Sequence, residues 1–259
     1  MSQLLLSLLH AILALCLFGL VCICLQKFFP SIRGQKLWRK ETKLDLIYWL
    51  SSYVITLKAI TFFAALLLTL ISVVNPQTMA YITATAHEKA SVIDVILGLI
   101  LLDLSGYWTH RIAHSRKFWK FHAIHHSSPE IDWLSSNRFH PLESIVIVAI
   151  GFNICMLAGI GLKAVALAFA IRGFYGYIVH ANVSWNYGPL GYVFASPYFH
   201  RWHHTTDKEG LDKNFAGVFS LWDFMFGTAY LPKKTQPKNF GGAKEIGTSF
   251  WQQLTYPFR

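Results

Sequence analysis

The stretch SIVIVAIGFNICMLAGIGLKAVALAFAIRGFYGYIV, residues 144–179, decides how this chain is arranged. It is apolar on both sides of Gly159-Ile160-Gly161 and Lys163, and a glycine pair followed by a charge interrupts a helix. Two legs of about 15 to 17 residues, each rising roughly 25 Å, therefore predict a helical hairpin. A hairpin returns the chain to the side it left, whereas a single crossing would carry it to the opposite face of a bilayer. That parity matters because histidines flank the stretch, His140 before it and His180 directly after it.

Working outward, twelve histidines occur in the chain, and all but His10 and His87 lie between His110 and His204. Most fall into His110-x-x-x-His114, His122-x-x-His125-His126 and His200-x-x-His203-His204. Residues three and four apart share a helix face. His110 and His114 should point the same way, and in each longer box the first histidine should serve with the other two as a claw. On one straight helix His110 and His122 would stand roughly 18 Å apart, so the chain must bend, most simply at Ser115-Arg116-Lys117. The boxes supply eight imidazoles and His180 a ninth. A zinc takes four ligands in a closed site and three in a catalytic one. Nine imidazoles suit two metals with four or five each, with positions left open for dioxygen, and imidazole suits iron as well as zinc.

Other residues near the boxes are candidate ligands or ligand-orienting groups. Asp103, Tyr107, His110 and His114 follow one another at intervals of four, three and four, which makes one helix stripe, and a carboxylate beneath a ligand is a candidate to orient its imidazole. His140 precedes Pro141 at a helix entrance, where hydrogen bonding to the helix end competes with ligation. Soluble di-iron proteins rely on Glu and Glu-x-x-His; no such motif is present, and the nearest carboxylates after the last box are Asp207, Glu209 and Asp212. An all-imidazole shell is expected, with no catalytic residue beyond the metal ligands.

The boxes, together with Arg138-Phe139-His140-Pro141-Leu142-Glu143, Asp212-Lys213-Asn214-Phe215 and Trp222-Asp223-Phe224-Met225-Phe226-Gly227-Thr228, resemble the fatty acid hydroxylase and sterol desaturase superfamily over about residues 95 to 230. The resemblance implies an integral-membrane, non-haem di-iron oxygenase with its boxes facing the cytoplasm. It also implies lipid substrates, whether fatty acyl, sterol or a related isoprenoid, that are hydroxylated or desaturated. In some members a second histidine follows the one at His180 by four positions; here that position is Ser184, and Asn182 is the candidate to complete the shell. The chain carries no flavin, haem or iron–sulfur motif, so electrons must come from an external donor of the cytochrome b5, ferredoxin or reductase type.

Composition agrees with a membrane protein: 54% of residues are hydrophobic and only 14% charged, well off the globular average. The net charge of +10 does not point to nucleic acid, because the basic residues sit beside apolar stretches, where they act as topology signals and contacts to anionic lipid. Cys16, Cys22, Cys24 and Cys155 lie within apolar segments without metal-ligand spacing, so they are expected to pack and form no disulfide framework.

The first apolar run, residues 4–25, has no Lys or Arg before it and no small-residue cleavage site after it, so it reads as a retained span rather than a signal peptide. His10 within it is expected at an interface or in packing. Lys27, Arg33, Lys36, Arg39, Lys40 and Lys43 then face Glu41 alone, which marks a cytoplasmic segment. Residues 45–74 form a second span, with Lys58 snorkelling or paired in the bundle. The linker over residues 75–90 holds one basic residue, Lys89, which places it on the outer side, and His87 there is expected to be solvated. A third span, residues 92–109, delivers His110 inward. Residues 215–230 are broken by Gly217, Trp222-Asp223 and Gly227 and read as a packed cap rather than a crossing.

The expected fold is an all-α integral membrane bundle of about four transmembrane helices, one pair of them the hairpin, beneath a cytoplasmic histidine-rich helical cap. The N-terminus should lie on the opposite side and the C-terminus with the boxes. The chain reads as one domain, with spans in 1–94, the histidine region in 95–230 and a basic cytoplasmic tail in 231–259. Two other classes fit less well. A zinc-dependent membrane hydrolase would leave most of the histidines idle, and His-Glu-x-x-His is absent. A metal transporter would set its ligands near mid-membrane, whereas here they gather at segment ends.

Overall fold

The computed structural model describes residues 3–85, 90–233, 235–242 and 244–259; His87, Lys89 and Lys234 lie outside the described residues. The chain runs α1 (Gln3–Phe28), α2 (Thr42–Ser51), α3 (Leu57–Val74), α4 (Pro76–Thr85), α5 (Val92–Ala113), α6 (Trp119–His122), α7 (Pro141–Leu157), α8 (Leu162–His180), α9 (Pro197–His203), α10 (Leu221–Met225) and α11 (Phe250–Thr255), with no strand among the described residues. Stretches of 23, 22 and 19 residues in α1, α5 and α8 are long and apolar enough to cross a membrane. The apolar part of α3 and the 17-residue α7 are shorter. The expected second span is also not one regular helix: a π-helical turn, Ser52–Thr56, separates α2 from α3.

Local chemistry sets the ends of the central helices. Ser91 and Asp94 form a reciprocal capping box at the start of α5, which satisfies backbone donors that would otherwise be orphaned. His140 caps α7, its Nδ1 accepting from Leu142 N at 3.1 Å, and Pro141 takes the first helical position. The α5 helix packs against both α7 and α8, and small residues let the backbones approach. A Cβ at Gly151 would stand 2.9 Å from Leu102, and one at Gly98 would stand 3.4 Å from Ala168 Cβ. Leu102, Cys155, Met156, Ala164 and Ala168 are buried in the resulting core. Leu13, Leu17, Leu20, Ile96 and Leu167 are exposed on the outside of the bundle, as a lipid-facing surface requires.

The site is built at one end of this bundle. There α5 and α8 finish with His110 and His180, α7 begins after His140, and the irregular segments collect. They are held by a buried ion-pair network. Asp45 at the start of α2 accepts from Arg39 at 2.8 Å and from Arg138 at 2.5 Å, and Arg39 also donates to Asp132 at 2.5 Å. Arg39, Asp45 and Arg138 are buried, so Arg39 is part of the packing rather than a solvated topology charge. The C-terminal segment is likewise no free tail: Ile246 is buried with Leu44, Tyr48 and Ile124.

Removing one partner from such a network leaves buried charges uncompensated, which costs about 3–5 kcal/mol. Asp45→Ala is therefore expected to lower the unfolding midpoint in mild detergent sharply, while Lys40→Ala, at an exposed position, leaves it unchanged. Equal midpoints for the two variants would show that the network does not hold the cap.

Candidate metal centre

The eight histidines of the boxes come together with His180 in two groups. His110, His114, His122, His126 and His203 form one, and His125, His180, His200 and His204 the other, with the potential ligand atoms of each within 4.8 Å of one another. The groups adjoin, because His126 and His204, one from each, have ring centroids 4.5 Å apart.

Each H-x-x-H-H box is divided between the groups instead of acting as one claw. His122 and His126 face the first group while His125 faces the second; His200 and His204 face the second while His203 faces the first. The reason is rotational: consecutive residues on a helix point about 100° apart, so a first histidine can reach either of the others, but those two diverge. The pair four apart converges, with His200 Nε2 and His204 Nε2 at 3.1 Å. Ser196 fixes this box by capping α9 through its hydroxyl, which accepts from Phe199 N at 3.1 Å.

Ring orientation is set from outside. Four Nδ1 atoms donate to backbone carbonyls: His110 to Phe215 at 2.7 Å, His125 to Arg138 at 3.2 Å, His180 to Gly176 at 2.7 Å and His203 to Lys213 at 2.8 Å. Two more Nδ1 atoms face carboxyl groups, that of His122 meeting Glu143 at 2.6 Å and that of His114 meeting Asp212 at 3.0 Å. A carbonyl only accepts, so the proton of a neutral ring must sit on Nδ1 and leave a lone pair on Nε2. The Nε2 atoms of His125 and His180, both rings held by carbonyls, nevertheless face each other at 3.2 Å. Two lone pairs at that distance repel unless a cation lies between them. His114 Nε2 and His203 Nε2 are buried without a hydrogen-bond partner among the described residues, which is costly for a polar atom unless something binds it. The donor set thus fits a pair of imidazole-ligated metal ions.

The electrostatics agree. Burial, then the neighbouring imidazoles, pulls His122, His126, His203 and His204 well below the ordinary histidine range. Burial, with His180 next, does the same at His125 and His200. These rings stay neutral at pH 7, the state in which imidazole ligates.

Residues 95–228 match the fatty acid hydroxylase family, just over half of the chain. The chain belongs to that family. It is 32% identical over 165 residues to the ornithine lipid hydroxylase OlsE of Rhizobium tropici, covering 63% of this chain and 50% of that one. It is 33% identical over 128 residues to human (Homo sapiens) alkylglycerol monooxygenase, covering 49% of this chain and 28% of that one. A very-long-chain aldehyde decarbonylase, GL1-11 of Oryza sativa subsp. japonica, is 28% identical over 150 residues, covering 55% and 54%. The chain thus spans about half or less of these relatives' lengths. No solved structure matches it.

In this family member the candidate residues outside the boxes bond elsewhere, His140 taking the helix-end role that competed with ligation in the sequence. Asp103 touches no imidazole. Its oxygens accept from Val218 N at 2.9 Å, Phe219 N at 2.8 Å and Trp222 Nε1 at 3.2 Å, so it anchors the segment just after the carbonyl that orients His110. Tyr107 pairs with Thr228 Oγ1 at 2.8 Å and accepts from Arg111 at 3.1 Å. His140 is spent on the start of α7 and on donating to Leu254 O at 3.1 Å. Asn182 pins the N-terminal segment instead of completing a shell: it accepts from Ile32 N and donates to Ile32 O, each at 2.8 Å.

Two features were not anticipated. Glu143, in the first turn of α7, is the carboxyl that holds His122; the sequence signals were its place at the end of the Arg138–Glu143 motif and an acid opening an apolar helix. The other is the strap Asp212–Phe215, which supplies acceptors to His114, His203 and His110. Asp212 and Asn214 adopt left-handed backbone with φ of 55° and 60°, a conformation Asp and Asn tolerate better than most residues. Asn214 is fully buried and locks the turn by donating to Phe199 O and Tyr230 O.

Proposed function

We propose that this family member is an integral-membrane lipid oxygenase that hydroxylates or desaturates a lipid at a centre of two irons. The observation that carries the reading is the pair of facing Nε2 lone pairs 3.2 Å apart in His125–His180, whose Nδ1 atoms are both turned to backbone carbonyls. His110, His114, His122, His126 and His203 would hold one iron, and His125, His180, His200 and His204 the other. Bound there, the irons would supply activation of dioxygen and oxidation of an unactivated C–H bond. The protein's own part is to fix the rings through the carbonyls, Glu143 and Asp212, and to keep them neutral by burial. Ionised beside a bound cation, Glu143 would hold the proton of His122 at Nδ1 and so keep Nε2 available. The relatives support the substrate class, since one is a hydroxylase of ornithine lipid and another a monooxygenase of alkylglycerol.

The α1, α5 and α8 helices, the α2–α3 segment and α7 would form the membrane part, with α7 and α8 as the hairpin. Electrons would come from an external protein of the cytochrome b5, ferredoxin or reductase type. Asp212 is largely exposed yet bonded to buried His114, so the first histidine group reaches the surface there. Five basic residues besides the buried Arg39, against Glu41, between Lys27 and Lys43 support a cytoplasmic histidine end. Reporters fused after Lys120 and after Trp185 should both read the cytoplasm; opposite readings would break the hairpin.

The test of function is the purified full chain in lipid nanodiscs, supplied with iron, a chemical or protein reductant and isotopically labelled dioxygen. A lipid carrying one labelled oxygen, or lacking two hydrogens, supports the reading. No oxidised lipid from any class offered, with iron bound, overturns it.

A further inference from the structure

We propose that Arg172 selects the lipid on which this protein acts, by pairing with an acidic group, a carboxylate or a phosphate, carried near the oxidised carbon. The inference rests on the lipid-oxygenase reading above and adds the substrate's chemistry to it.

Arg172 lies on α8 eight residues before His180, roughly 12 Å along the helix axis, on an element long and apolar enough to cross a bilayer. A guanidinium at that depth is expensive unless it is paired or functional. Its pairing is incomplete. Nε stands 3.4 Å from Asp103 Oδ1 and is buried without a hydrogen bond. Asp103 is already committed to Val218 N, Phe219 N and Trp222 Nε1. The terminal nitrogens of Arg172 make no hydrogen bond among the described residues, and 28% of the side chain is accessible.

Two cavities, of about 250 and 180 Å³, share Arg172, His110 and Phe139 in their walls. The larger is also lined by His125, His180 and His200, so one space runs from the guanidinium to both histidine groups. Gly173 and Gly176 border it, and a Cβ added at either would meet nothing within 4 Å. Bulkier residues there would fill the space beside Arg172. These volumes fit a head group and a few carbons, leaving longer chains in the bilayer. The planar fork of arginine matches carboxylate and phosphate through paired hydrogen bonds. A neutral head group would leave the terminal nitrogens of Arg172 without a charged acceptor.

The experiment uses the full chain in nanodiscs of neutral phosphatidylcholine and a photoreactive fatty acid with a diazirine next to its carboxylate. Label is expected on the cavity wall, residues 136–139 and 172–180. Hexadecanoate or hexadecyl phosphate should compete at least about tenfold better than hexadecanol, one charge-assisted pair being sufficient for that ratio, and the better of the two anions identifies the acidic group. Arg172→Met should remove this preference and Arg172→Lys should keep part of it. Gly176→Leu, which fills the cavity and leaves Arg172 beside Asp103, should block labelling. Hexadecanol competing as well as the anions, label falling elsewhere, or the preference surviving in Arg172→Met overturns the proposal. If Arg172→Met does not fold, Gly176→Leu decides, and label persisting at the cavity there overturns it. These measurements need no turnover, so they succeed or fail independently of whether any lipid is oxidised.

Discussion

His203→Ala and His204→Ala are each expected to reduce lipid oxidation below detection, although the two residues are neighbours and serve different histidine groups. His204 Nε2 lies 3.1 Å from the Nε2 atoms of both His180 and His200, while the buried His203 Nε2 has no partner among the described residues. Removing either leaves one metal short of a ligand, and the loss should exceed the roughly 10- to 100-fold typical when a residue that merely supports a ligand is removed. Membrane insertion should be unaffected, because apolar length and not the histidines defines the spans. His10→Ala is the control, since His10 is exposed on α1 and belongs to neither group. Turnover measured beside membrane yield separates the outcomes, and damage from His10→Ala equal to that from His204→Ala would refute the assignment of ligands.

Glu143→Gln should lower iron affinity, and activity with it, by about 10- to 100-fold. Glu143 Oε1 lies 2.6 Å from His122 Nδ1, and its position fixes the ring; burial pushes the carboxyl up to about 8, and a cation bound at Nε2 would favour its ionised, proton-accepting form. Glutamine keeps the size and an acceptor but loses the charge, whereas Glu143→Ala removes both and should be worse. Competition with a calibrated chelator reads the affinity directly. An unchanged affinity in both variants would show that His122 is held by the metal alone.

The parts that could be read from the sequence are those governed by spacing. Eight histidines in boxes with His180 beside them, a bend after His114, and an apolar stretch interrupted at Gly159–Gly161 follow from helical geometry and apolar length. The division of each box was also within reach, since the rotation of about 100° per residue already separates His125 from His126 and His203 from His204. What was hidden depends on contacts distant in the chain. Arg39 reads locally as one more cytoplasmic charge, but its partner Asp132 lies 93 residues away. Asp103 shares a helix stripe with His110, yet the backbone amides of residues 218 and 219 reach it first. The orienting carbonyls of Phe215, Lys213, Arg138 and Gly176 have no side-chain signature. His140 and Asn182 look like ligands by residue type and are used instead to fasten the start of α7 and the segment after α1.

The central claim is that the two histidine groups together hold two metals, and metal content measured against activity tests it most directly. Protein purified gently in detergent and reconstituted with ferrous iron should hold close to two irons per chain, one for each group, and turnover should rise only as the second iron binds. Full activity in a sample holding one iron, or zinc alone, would contradict it.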